Sequence, residues 1–299
     1  MATVSPLTPA NRLRALLEGD RLLLTPSAGD ALSARLIEQA GFPLAFISGF
    51  AVSASRIGMP DTGLISYAEM VDSARNIAAA VSMPVMADGD TGFGNALNVK
   101  RTVAGFAQAG AASVMIEDQV APKRCGHTRG KMVVGREEAV DRIRAACDAR
   151  DEMRASGKGD ILILARTDAR REHGVSEAIA RAQAFREAGA DILFVEEPQS
   201  EDEMRTICSE VDGPSMANLV EGGLTPILPG DQLEDLGFKI AIFPLTLMSA
   251  AMKAMIGALE TMKGGAHPND ALLEFAELRK RVGFDEYYRQ EQRYSGARD

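Results

Sequence analysis

Two groups of residues in this chain could do chemistry. Asp88, Asp90 and Glu117 follow two successive β-prone apolar runs. They offer hard oxygen donors, which suit Mg²⁺, or Mn²⁺, held by few protein ligands together with waters and substrate. Further along, Lys123-Arg124-Cys125-Gly126-His127 sets three potentially cationic side chains around one thiol in a glycine-containing loop. Such a field lowers a thiol's pKa and eases proton donation near neutral pH. Each group also has a plainer reading. The carboxylates could cap the following helices or pair with Arg166 or Lys123, and Asp-Gly-Asp is only moderately specific. Gly89, Gly92 and Gly94 depart from the spacing of a dinucleotide loop, and the aspartates beside them would repel phosphate. Cys147 shares an apolar helical face with Val140 and Ile143, and Cys208 neighbours Ile207 and Met204, so both read as core thiols. His173 and His267 fall in expected loops without neighbouring ligands and read as surface residues, which argues against zinc.

Bringing such groups together requires a scaffold, and the chain repeats one. Eight short β-prone runs, Leu22–Thr25, Leu44–Ile47, Pro84–Ala87, Ser113–Ile116, Ile161–Ala165, Ile192–Val195, Pro214–Ala217 and Lys239–Phe243, alternate with longer stretches. Within these stretches apolar residues such as Val99, Val103 and Phe106 recur at helical spacing. Eight strand–helix units in 299 residues favour an α/β (β/α)₈ TIM barrel over an open doubly wound sheet. In such barrels the site is built from loops at the strand C-terminal ends. The residues expected there are polar: Ser48-Gly49, Asp88-Gly89-Asp90, Glu117-Asp118, Arg166-Thr167-Asp168, Glu196-Glu197 and Asn218. A helix over Leu247–Lys263, a Gly264–Pro268 turn and a charged tail then form a C-terminal helical extension, about 245–299, on one domain spanning 1–299.

A formal net charge of -9 argues against a general nucleic-acid or membrane-surface binder, since both partners are anionic. Three cysteines without a CxxC pair fit a reducing compartment. No secretory leader and no apolar run long enough to span a membrane are visible, so the cytoplasm is the expected location.

The Lys123–His127 loop resembles that of the lyase branch of the isocitrate lyase/phosphoenolpyruvate mutase superfamily. Ser48-Gly49-Phe50, Pro60-Asp61-Thr62-Gly63, Ala87–Gly94, Ile116–Gln119, Ala165–Asp168 and Ala217-Asn218 also match, in family order, over most of the chain. The resemblance implies a barrel whose last helix is exchanged between subunits, giving homodimers or homotetramers. It implies Mg²⁺ held at Asp90 with Asp88 and Glu117 around it, directly or through waters. Ser48, Gly49 and Phe50, with Asp61, would line the keto-acid end of a small dicarboxylate substrate. Arg166 would take a carboxylate, and Asn218 and Glu196 the remaining polar groups. The gate around Gly126 would close over the substrate, with Cys125 giving a proton to carbon and Lys123, Arg124 and His127 opposing developing charge. The expected activity is metal-assisted C–C cleavage of a 2-hydroxy dicarboxylate to a 2-keto acid and a short carboxylate. Glu117 is one of several candidates for the base. Methylisocitrate cleavage, oxaloacetate hydrolysis and C–P chemistry are the family's alternatives.

Two departures bear on substrate size. Where the family's tricarboxylate enzymes carry a threonine after strand seven and an arginine after strand eight, this chain aligns Val220 and Met248. A third carboxylate buried against them would be unpaired, which is costly, whereas an alkyl group would fit. The Asn218-Leu219-Val220-Glu221-Gly222-Gly223 stretch resembles the superfamily's alkylmalate- and oxaloacetate-cleaving members.

Overall fold

The computed structural model describes residues 7–124 and 130–295. Two compact units are present, Met1–Leu247 and Met248–Asp299. In the first, strands and helices alternate: α1 (Pro9–Glu18), β1 (Leu23–Ala28), α2 (Ala31–Gln39), β2 (Ala45–Ile47), α3 (Gly49–Ile57), α4 (Tyr67–Ala80), β3 (Val85–Asp88), α5 (Ala96–Gln108), β4 (Ser113–Glu117) and α6 (Arg136–Ala155). The series continues through β5 (Leu162–Thr167), α7 (Arg170–His173), α8 (Val175–Glu187), β6 (Ile192–Val195), α9 (Glu201–Glu210), β7 (Met216–Asn218), α10 (Gly230–Leu236) and β8 (Ile240–Phe243). All eight expected strands form, with ends shifted by up to three residues.

From β1 to β6 each strand pairs in parallel with the next, and β8 pairs in parallel with both β7 and β1. Between β6 and β7 the ladder thins to one bridge, Leu193 opposite Ser215, with the Leu193 N–H donating to Pro214 O at 2.9 Å. The eight strands thus form a nearly closed (β/α)₈ barrel. Because side chains alternate along a strand, one set fills the interior, including Leu44, Phe46, Met86, Met115, Leu164 and Phe194. Ala10 and Leu13 of α1 join that interior cluster. The other set, with Ile47, Val85, Val114 and Ile163, packs outward against Val103, Phe106, Ile143 and Phe185 of the helices. With the core filled this way, the polar residues at the strand C-terminal ends gather at one end of the barrel.

α11 (Thr246–Lys263) leads into the second unit, which continues with a 3₁₀ turn at Asn269–Ala271, then α12 (Phe275–Val282) and α13 (Phe284–Tyr294). The expected charged tail is therefore helical. Arg281 pairs with Glu277 at 2.7 Å, an i,i+4 spacing that supports such helices. No helix among the described residues is long and apolar enough to cross a membrane.

Candidate active site

One cavity of about 200 Å³ opens at the C-terminal ends of the strands. Its polar lining includes Ser48, Asp61, Asp88, Glu117, Arg166 and Asn218, together with Lys123 and Arg124. Phe46, Phe50, Met115, Phe194, Val220 and Leu245 supply apolar wall.

Ser48 follows β2 and caps α3, its Oγ accepting from the Ala51 N–H at 3.3 Å. Gly49 follows, and a Cβ there would collide with the Asp88 carboxylate and lie 3.2 Å from Lys123 Nζ. Asp88 closes β3, and its Oδ1 accepts from the Asp90 N–H at 2.9 Å. That turn holds Asp90 at φ 50°, a conformation uncommon for a residue with a side chain. Gly89 makes the turn fit, since a Cβ there would lie 2.6 Å from Met115 O. The Glu117 N–H then donates to Asp90 O at 3.0 Å, tying the ends of β3 and β4 together.

The Lys123 ammonium sits among three of these carboxylates, 2.6 Å from Asp90 Oδ1, 3.0 Å from Asp61 and 3.5 Å from Asp88 Oδ2. Of the two readings the sequence left open, pairing therefore holds for Asp88 and Asp90 with Lys123, and for Glu117 with Arg166 at 3.3 Å. The pairing is incomplete. Glu117 Oε1 is buried with no hydrogen-bond partner among the described residues, whereas Asp61 Oδ1 and Asp90 Oδ1 are ion-paired with Lys123 Nζ at 3.0 and 2.6 Å. Burial lifts the Asp90 carboxyl to about 7, with Lys123 opposing and Asp88 and Asp61 reinforcing the rise. Burial likewise pushes Glu117 well above its ordinary range, against Arg166 and Lys123. Lys123, which burial would lower, is held well above the ordinary lysine range by Asp88, Asp90 and Asp61.

No group of three or more carboxylate, histidine or cysteine side chains among the described residues converges as a ready-made metal cage. Mg²⁺ does not require one, because it keeps several waters and takes one or two carboxylates. Hard oxygen donors, the unpartnered Glu117 Oε1 and the room left by Gly49 fit such an ion at Asp90, Asp88 and Glu117.

Arg166 is the penultimate residue of β5 and stacks over Phe194 at 5.2 Å. Its Nε and Nη2 donate to Asp168 at 2.8 and 3.0 Å, and Nη2 lies 3.2 Å from Glu196 Oε2. Asn218 Nδ2 donates to Glu196 Oε1 at 3.2 Å. Asp118 braces the site from below, accepting from Thr167 Oγ1 at 2.6 Å, the Asp168 N–H at 2.8 Å and Arg181 at 3.0 Å.

The structure thus brings Ser48, Gly49, Phe50, Asp61, Asp88, Asp90, Glu117, Lys123, Arg124, Arg166, Glu196 and Asn218 to one mouth. Cys125, Gly126 and His127 lie outside the described residues. Sequence reasoning from strand ends alone did not reach Asp61, which stands between α3 and α4 and surfaced through resemblance. It gave no role to Lys131 or Arg142, both buried. Arg142 is a helical residue that donates to Gln119 O at 2.8 Å; a lone arginine on an apolar helical face was the available signal.

The family model described as phosphoenolpyruvate phosphomutase matches residues 13–263. The 2,3-dimethylmalate lyase of Eubacterium barkeri is 41% identical over 98% of this chain and 100% of its own. The chloroplastic carboxyvinyl-carboxyphosphonate phosphorylmutase of Arabidopsis thaliana is also 41% identical, over 96% of this chain and 85% of its own. A solved oxaloacetate acetylhydrolase, in complex with 3,3-difluorooxalacetate, superposes with a TM-score of 0.92 at 32% identity, covering 98% of this chain and 99% of that one. Taken with the barrel and its polar mouth, these likenesses mean that the chain belongs to the phosphoenolpyruvate mutase/isocitrate lyase superfamily and is a carbon–carbon lyase.

Proposed function

We propose that the chain is a Mg²⁺-dependent lyase that breaks the C2–C3 bond of a small 2-hydroxy dicarboxylate. Its preferred substrate would be a 2-alkylmalate such as 2,3-dimethylmalate, giving pyruvate or another 2-keto acid and a short carboxylate. The observation that carries this reading is the mixed lining of the cavity. Its carboxylates and the cations Lys123, Arg124 and Arg166 share it with an apolar part that includes Val220, Pro244 and Leu245. Two substrate carboxylates can meet Arg166 and Arg124, while an alkyl branch lies against Val220. A third carboxylate would desolvate against valine and leucine. Met248 begins the second unit, so this reading rests on Val220.

A divalent ion held at Asp90 would polarise the substrate's C2 hydroxyl and favour its ionised form. Arg166, fixed by Asp168 and stacked on Phe194, orients a carboxylate. Ser48 and Gly49, at the N-terminus of α3, present backbone dipoles favourable to anions. Glu117, whose buried Oε1 has no hydrogen-bond partner among the described residues, is one candidate to take the hydroxyl proton. The electron pair of the C2–C3 bond then passes to the departing half as its aci-carboxylate, and Cys125 gives C3 a proton while Lys123, Arg124 and His127 oppose the transient charge. Asn218, held by Glu196, offers a further donor.

Oxaloacetate hydrolysis to oxalate and acetate is a second reading, supported by the likeness to the acetylhydrolase fold. C–P rearrangement has the support of the phosphorylmutase likeness. Methylisocitrate cleavage and a non-catalytic dicarboxylate-binding barrel complete the set. Turnover of 2,3-dimethylmalate, oxaloacetate, methylisocitrate and phosphonopyruvate, each with Mg²⁺ and with EDTA, separates them. Metal-dependent pyruvate release from dimethylmalate is expected, and phosphonopyruvate turnover alone would defeat the reading.

We assign the enzyme to the cytoplasm as a homo-oligomer that exchanges its C-terminal helices. Met252, Met255, Ile256, Leu259 and Met262 recur at helical spacing along α11, each roughly half exposed or more. Such a stripe needs cover. Sedimentation at the monomer mass would refute this assignment.

A further inference from the structure

Lys131 does not line the cavity and has no part in the chemistry above, yet its ammonium is almost wholly buried. Its Nζ lies 2.7 Å from Asp168 Oδ1 and 3.4 Å from Glu197 Oε2, with all three side chains at most 1% exposed. Asp168 Oδ1 is shared, since it also accepts from Arg166 Nη2 at 3.0 Å, while Asp168 Oδ2 accepts from Arg166 Nε at 2.8 Å. The guanidinium is further flanked by Glu117 at 3.3 Å and Glu196 at 3.2 Å. Three carboxylates thus compete with substrate for one arginine, and Lys131 is the cation against the one that grips it most closely.

The backbone holds Lys131 in place. The Val120 N–H donates to Met132 O at 2.8 Å and the Val134 N–H to Asp118 O at 2.9 Å, so the strand-like stretch after Lys131 is bound to the end of β4. Asp118 also accepts from the Asp168 N–H, which fixes the other partner of the ion pair to the same point. Burial alone would raise the Asp168 carboxyl, but Arg166 and Lys131 together hold it well below the usual carboxylate range.

We propose that Lys131 is a positioning residue for substrate recognition: by neutralising and orienting Asp168, it leaves the Arg166 guanidinium aimed and charged for the substrate's carboxylate. This deepens the proposed function and rests on its assignment of Arg166 to a carboxylate. With Lys131 removed, Arg166 alone would answer the charge of Asp168, and its field in the cavity would fall. The loss belongs to ground-state binding, so it appears in KM rather than kcat.

The test uses the intact protein with Mg²⁺ and oxalate as a dianionic probe, whose Kd is read by calorimetry, alongside kcat, KM and melting temperature. Lys131→Met removes the charge. Lys131→Gln removes it but keeps a hydrogen-bond donor for Asp168, so the measurement survives if the methionine variant fails to fold. We expect the Kd for oxalate and the KM to rise at least fivefold in the neutral variants while kcat stays within threefold, and Lys131→Arg to restore both. A smaller rise in Kd, including a lowered melting temperature with Kd unchanged, would overturn the proposal, as would wild-type protein that does not bind oxalate. Wild-type protein that binds oxalate but turns over no 2-hydroxy dicarboxylate would refute the proposed function while leaving the Kd comparison decisive for Lys131.

Discussion

Replacing Gly49 by alanine adds one methyl group at the point where α3 meets the carboxylates. The backbone there is ordinary, since Gly49 is not among the residues with positive φ, and alanine in a helix is favoured over glycine by up to about 1 kcal/mol. The cost is local. The new Cβ would overlap the Asp88 carboxylate and stand 3.2 Å from Lys123 Nζ, so Asp88 must turn away. Turning forfeits its 2.9 Å bond from the Asp90 N–H, and a hydrogen bond to a charged group contributes about 1.5–3 kcal/mol. The helical gain offsets part of that loss in the fold, leaving about 0.5–2 kcal/mol and a melting temperature lowered by a few degrees. The ion site has no such offset. If the same hydrogen bond organises it, Mg²⁺ should bind about 10- to 150-fold more weakly. Calorimetric Mg²⁺ titration and a thermal melt on one sample separate the two effects. A Gly49→Ala protein that binds Mg²⁺ as tightly as wild type would refute the account of the carboxylate cluster.

The raised carboxyl of Asp90 predicts a pH dependence with a definite sign. Its folded pKa of about 7 lies above the ordinary aspartate value, so the metal-free fold favours the protonated form, gains relative stability as pH falls from above 7 toward about 4, and must release that proton to bind an ion. Mg²⁺ affinity should therefore fall roughly tenfold per unit below about pH 7. A flat profile between pH 5.5 and 8 contradicts this, and Asp90→Asn should abolish both binding and turnover. For the thiols, burial pushes Cys147 and Cys208 up to about 12, so iodoacetamide at pH 8 should modify only Cys125 in native protein and all three after unfolding. Native labelling of Cys147 would remove the contrast on which the reading of Cys125 depends.

Much of the barrel was legible because its strands are short apolar runs buried on both faces, such as Ile192–Val195, and these stand out against amphipathic helices. The mouth was legible for a related reason: polar residues such as Asp88 and Glu117 end buried strands at the barrel end where sites are built. What lay hidden depends on distance in sequence. Lys131 and Glu197 meet across 66 positions, and Asp61 and Lys123 across 62, and neither pair announces itself by spacing. Lys123, read as part of the cationic field around the thiol, has its ammonium against Asp90, the pairing with the carboxylates that the sequence had also left open. The extension after Lys263 read as a charged tail because its apolar residues, among them Phe275, Leu278 and Val282, are diluted by charge, although their spacing is helical.

The most direct test of the central claim compares kcat/KM for 2,3-dimethylmalate and methylisocitrate in the same Mg²⁺-containing buffer. An alkyl branch against Val220 predicts a preference for dimethylmalate of at least 100-fold, about 2.7 kcal/mol at roughly 1.4 kcal/mol per decade, which lies within the cost of burying an unpaired carboxylate. A preference for methylisocitrate would contradict the account, because it would require a cationic partner for the third carboxylate where the account puts an alkyl branch against Val220.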